Sequence, residues 1–134
     1  MNVEFQYICN NPRAIETEQR DCVVRALSLA FNVDYVTVHK MCAKAGRKPK
    51  QGMYRSQTNA VIQELTGNKT NVLDILPRGQ RQTLATFAKQ NNKGNWIVLK
   101  SGHAIALIDG VYHDSNTKDN GLPRSIVQAY YKAK

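Results

Sequence analysis

The sequence predicts an α+β domain in which N-terminal helices pack on a C-terminal antiparallel sheet. Three observations carry this. The first half holds three segments with apolar residues at helical spacing. The second half holds short β-prone runs around Asp109-Gly110, one of the strongest two-residue hairpin signals. The chain of 134 residues is of single-domain size and large enough to bury a core. Helices followed by antiparallel strands give the α+β class.

Taken in order, Asp21 can cap a first helix with an apolar stripe at Val23, Ala26, Leu27, Ala30 and Phe31. Asp34 can cap a second, whose face is Val38, Met41, Cys42 and Ala45, and Gly46 stops it. Residues 46–55, "GRKPKQGMYR", form a basic loop. Ser56 can open a third helix through Val61, Ile62 and Leu65, closed by Gly67. "NVLDIL" is a short strand ended by Pro77. Thr83 can cap a brief helix through Phe87. "NWIVLK" is a strand, followed by the two arms of the hairpin. The tail "RSIVQAYYKAK" leans toward a last strand through its Val, Ile and Tyr content. No internal repeat or linker interrupts the chain.

Composition narrows the function classes. No run approaches the roughly 20 apolar residues that a membrane helix needs. The N-terminus has no basic start followed by an apolar block, so no secretory signal is expected. The three cysteines, Cys9, Cys22 and Cys42, cannot all pair within the chain, and their spacings match no zinc pattern. A reducing cytoplasm is expected, with no metal and no cofactor. The net charge of +9 suggests a nucleic-acid surface or an acidic partner. The positive residues cluster in 46–55 and in "LPRGQRQ", residues 76–82. Only Tyr54 interleaves with the first cluster, so a base-stacking platform is poorly supported and nucleic acid is the lesser reading.

Cys22 falls at the first turn of the first helix. Unpaired backbone N–H groups and the positive end of the helix dipole both stabilise a thiolate there. A nearby imidazole would make it a usable nucleophile. Most cysteines are small buried hydrophobes, and Cys42, on an apolar stripe, is read that way. Cys9 has no partner that the sequence identifies.

The hairpin supplies the imidazole. With Asp109-Gly110 as a two-residue loop, Ile108 faces Val111 and the pairs continue outward. His103 then faces Asn116, with Asp114 diagonal to it on the same face. His113 alternates to the other face, opposite Ala106. His103 therefore has a carboxylate and an amide in reach, either able to fix its tautomer and orientation. The blander reading is a strand-end histidine with ordinary hydrogen bonds. His39 belongs on the exposed side of its helix and is set aside.

A helix-starting cysteine, then a histidine opening a strand, then an Asp or Asn after a turn, resembles the order of the papain-like cysteine peptidases. More narrowly, "RDCVVRAL", "GRKPKQGM" and "GHAIALIDGVYHD" look like a set of small phage and bacterial proteins described as double-glycine leader-peptidase-like in fold. The likeness spans residues 18 to 131. It implies a papain-like fold, with Cys22 as nucleophile, His103 as base and Asp114 as orienting acid. It also implies a phage-encoded protein working in the host cytoplasm. Papain-like enzymes place a glutamine several residues before the cysteine as an oxyanion donor. Here the nearest is Gln19, three before Cys22, and Glu16 stands farther back. The oxyanion pocket expected is the Cys22 backbone N–H plus one further donor.

The function these residues imply is a cysteine-dependent amide hydrolase, a protease or deamidase, acting on a protein or peptide, with a host protein as the expected substrate. The alternative is a non-catalytic papain-like binding protein that inhibits a host factor through the basic surface at 46–55 and 77–82.

Overall fold

The computed structural model of the protein describes residues 4–7, 21–48, 51–70, 72–114 and 125–133. Among them are four helices, α1 (Cys22–Phe31), α2 (Tyr35–Lys44), α3 (Arg55–Thr66) and α4 (Leu84–Gln90). The strands are β1 (Glu4–Tyr7), β2 (Asp74–Ile75), β3 (Asn95–Lys100), β4 (His103–Ile108), β5 (Val111–Asp114) and β6 (Ala129–Lys132). They form one six-stranded sheet in the order β1-β5-β4-β3-β6-β2. Every pairing is antiparallel except β1 on β5, which is parallel. The α+β class therefore holds.

The sheet is buried on both faces, and strand alternation sorts its side chains between them. Ile97, Leu99, Ala104, Ala106 and Ala129 join a core with α1, α2 and α3. Val98, Ile105, Leu107, Tyr112 and Val127 join a second core with Leu84, Phe87 and Ala88 of α4. β4 is consequently apolar on both sides, which explains why "AIALI" reads as a continuous run rather than an alternation. Its buried residues on the α1 side, Ala104 and Ala106, are both alanines. With Ala26 and Ala30 on the helix, they let α1 lie close against the strand.

The hairpin forms in the expected register, with Ile108 opposite Val111 and Ala106 opposite His113. Asp109 and Gly110 carry φ values of 47° and 83°, the left-handed pair of a type I′ turn. The Asp109 carboxylate accepts from the Gly94 N–H at 2.9 Å, tying this turn to the start of β3. Asp34 caps α2 by accepting from the Thr37 N–H, and Thr83 caps α4 by accepting from the Thr86 N–H. The tail supplies β6, as its composition implied.

Three expectations about these elements are corrected. Asp21 occupies the cap position of α1, but its side chain makes no cap hydrogen bond. It is buried instead, accepting from the Tyr35 hydroxyl at 2.8 Å and pairing with Arg25 at 3.0 Å. The Tyr35 hydroxyl from α2 and the Arg25 guanidinium one turn along α1 take the place of the local cap. α3 begins at Arg55, with Tyr54 rather than Ser56 as its cap residue, because the Gln57 side chain reaches back to accept from the Tyr54 N–H at 2.9 Å. β2 is only two residues long, at the sheet edge. The strand β1 was not expected at all. Its four residues pair with β5, more than a hundred positions away in sequence, so no local turn signal announces it.

Candidate active site

Cys22 opens α1 and His103 opens β4, and the structure brings them together: the imidazole is hydrogen-bonded to the thiol. The contact follows from the fold. Close packing of α1 on β4 carries the first turn of the helix to the strand's first residue. Asp21, held by Tyr35 and Arg25, fixes the chain just before the cysteine.

Cys22 is partly buried. Burial by itself pushes its thiol pKa up. The hydrogen bond and the positive charge of His103, then hydrogen bonds from the backbone of Ala104 and Val23, outweigh that effect. The net result is a thiol below its ordinary value. Cys42 shows the opposite balance. It is fully buried on α2, and desolvation pushes its pKa up to about 12 although the nearby Arg47 guanidinium opposes the rise. Two cysteines of one chain thus divide into a nucleophile-like thiol and an inert one.

The pair opens onto a cleft of about 670 Å³. Besides Cys22 and Val23, its lining comes from two places. One is the β3–β4 turn, with Lys100, Gly102 and His103; the other is the α2–α3 connection and first turn of α3, from Gly46 to Thr58. The basic loop at 46–55, which sequence alone did not connect with Cys22, is therefore a wall of the thiol cleft. Sequence distance hid this, since Lys48 and His103 are brought together only by the packing of α2 and α3 on the same sheet face as α1. Gly46 takes a φ of +110°, and a Cβ there would sit 3.0 Å from Gln57 Nε2, so this wall depends on glycine. The second basic segment, 77–82, contributes nothing to the cleft lining. Arg78 and Gln80 bound a 3₁₀ turn there, and Arg81 donates to the Leu76 carbonyl at 3.2 Å.

Asp114 ends β5, its backbone paired with Tyr7 of β1. Its side chain, together with Gln19, Asn116, Cys9 and Glu16, lies outside the described residues. His39 is half-buried rather than exposed, its ring 5.8 Å from that of Tyr35. Among the described residues, no three His, Cys, Asp or Glu side chains converge as metal ligands would, and no helix is long and apolar enough to cross a membrane.

His113 lies opposite Ala106, on the α1 side of the sheet, and does not line the cleft. Its Nδ1 is buried with no hydrogen-bond partner among the described residues, and burial pushes its pKa below 6.5. The unfolded chain therefore binds a proton that the folded chain resists. Stability should fall as pH drops from 6.5 through the folded-state pKa, and level off below both values. Thermal melts across that range should show a flatter pH profile for His113→Gln; an unchanged slope would assign the acid sensitivity to other groups.

No protein-family model, no curated protein and no solved structure matches this chain.

Proposed function

We propose that this domain is a cysteine-dependent amide hydrolase of papain-like type. The observation that carries the proposal is the hydrogen bond between the helix-starting Cys22 and the strand-starting His103, with the thiol held below its ordinary pKa at the mouth of a cleft. In this reading His103 takes the proton of Cys22, and the thiolate attacks an amide carbonyl. The tetrahedral intermediate collapses to an acyl-enzyme as His103 returns the proton to the leaving amine. Water, deprotonated by the same imidazole, then releases the acid. Asp114 is assigned the orienting role by the sequence resemblance. The first-turn backbone N–H of Cys22 is assigned to the oxyanion, with Gln19 the nearest glutamine for a second donor. Proteolysis and deamidation share the first step and differ in which amine leaves.

The resemblance to small phage proteins extends the proposal to a phage-encoded enzyme acting on a host protein in the host cytoplasm. The second reading, a non-catalytic binding domain, draws on the basic loop that lines the cleft.

An activated ester separates the two. Incubation with a p-nitrophenyl acyl ester should add one acyl mass to Cys22 in acid-quenched protein, and Cys22→Ala and His103→Ala should show none. Acylation spread over Cys9, Cys22 and lysines alike would favour the binding domain.

A further inference from the structure

We propose that the cleft beside Cys22 selects an acidic polypeptide segment, with carboxylate side chains flanking the amide presented to the thiol. The inference rests on the catalytic reading above and names its substrate class.

Three cations from three different elements line the cleft: Lys48 from the α2–α3 connection, Arg55 from the start of α3 and Lys100 from the end of β3. No carboxylate is among the described lining residues. The described carboxylates are engaged elsewhere, Asp21 with Arg25 and Tyr35, Asp34 at its cap, Glu64 with Lys44 and Asp109 at the hairpin. Asp74 sits on the edge strand β2. Arg55 contacts the neutral Gln128 amide at 3.3 Å, which leaves its charge uncompensated by that bond. Lys48 and Arg55, both exposed, carry like charges at the cleft that repel one another and focus a positive potential into it. An anionic occupant relieves that repulsion, and a neutral or cationic one does not.

A polypeptide fits better than a nucleic acid. Tyr54, 78% exposed, is the only Phe, Tyr or Trp among the described lining residues, whereas single-stranded nucleic acid is held by successive aromatic platforms along a basic groove. One exposed ring with the amides of Gln51 and Gln57 suits an extended peptide. The thiol at the cleft also requires an acyl carbonyl, which a peptide supplies.

The test uses the full chain with Cys22→Ala, so that nothing is turned over. Fluorescence anisotropy would compare labelled Glu-Gly, Gln-Gly and Lys-Gly repeat peptides of equal length, and a single-stranded DNA oligomer of the same charge as the first. The Glu-Gly peptide should bind at least about ten-fold tighter than the Gln-Gly peptide, weakening as salt is raised. Lys48→Glu and Arg55→Glu, both at exposed positions, should each remove most of that preference while the thermal melt stays in place. Lys48→Gln and Arg55→Gln should fall between, which guards against a reversal that simply disturbs the loop. Equal binding of the acidic and neutral peptides, full affinity in the reversed variants, or tighter binding of the oligonucleotide would overturn the inference. Thiol reactivity of the unsubstituted protein is read separately. A reactive Cys22 without acidic preference sinks this inference and leaves the catalytic proposal. An acidic preference with a sluggish Cys22 sinks the catalytic proposal and keeps the cleft's specificity.

Discussion

At pH 7, iodoacetamide should alkylate Cys22 at least about thirty-fold faster than Cys42. The magnitude follows from the two environments. Cys42 is pushed up to about 12, and Cys22 lies below 9.0, so their thiolate fractions differ by more than three powers of ten. The more basic thiolate is intrinsically the stronger nucleophile, with a Brønsted slope of about 0.4–0.5, and that returns somewhat less than half of the logarithmic gap. Burial of Cys42 without exposure widens the difference again. A Cys9→Ser background keeps the readout to these two sites. His103→Ala should then slow Cys22 by about ten-fold or more, because it removes both the hydrogen bond and the positive charge that offset burial. The rate profile of Cys22 should also move to higher pH in that variant. Equal labelling of the two thiols, or a His103→Ala protein as reactive as its parent, would remove the chemical basis of the proposed function.

Cys42→Ser should cost about 1–3 kcal/mol of stability, the penalty of burying a hydroxyl without a compensating partner. Cys42 is fully buried in the core shared by α1, α2 and α3, with Val38 and Ile62 among its fully buried members. Cys22→Ser should stay within about 0.5 kcal/mol, since its side chain borders the cleft, where a hydroxyl keeps access to His103 and to water. Chemical denaturation of the two variants gives the comparison directly, with the slope checked for two-state behaviour. The expected profiles are opposite: one substitution abolishes thiol reactivity and spares the fold, the other loosens the fold and spares the thiol. If Cys22→Ser destabilises as much as Cys42→Ser, Cys22 is a packing residue.

The elements legible in advance were those specified by short-range chemistry. Asp34 and Thr83 hydrogen-bond three residues onward, and Asp109-Gly110 sets its own turn type and thereby the β4–β5 register. Cys22 could be placed at a helix start and His103 at a strand start on the same grounds. The burial of Cys42 followed from its place on a periodic apolar stripe. These features depend on contacts within a few residues or on a repeat that survives without knowing the partner.

What only the tertiary structure decided depends on groups far apart in sequence. Asp21 carries a capping residue type, yet its carboxylate is buried and accepts from the Tyr35 hydroxyl, fourteen positions on, a contact set by the packing of α2 against α1. β1 exists as a strand through its parallel pairing with β5, for which no local signal is needed. The hydrogen bond from Cys22 to His103 spans the whole helical half of the chain, and it forms because small residues on α1 and β4 let the two elements pack closely. The same packing makes the basic loop a wall of the cleft, bringing Lys48 and Arg55 into the lining that Cys22 shares. Sequence thus determined which residues could do chemistry and on what local scaffold each would stand. The partner and the sign of each thiol's pKa shift were set by three-dimensional packing, since desolvation and Coulomb interaction depend on distance in space and not along the chain.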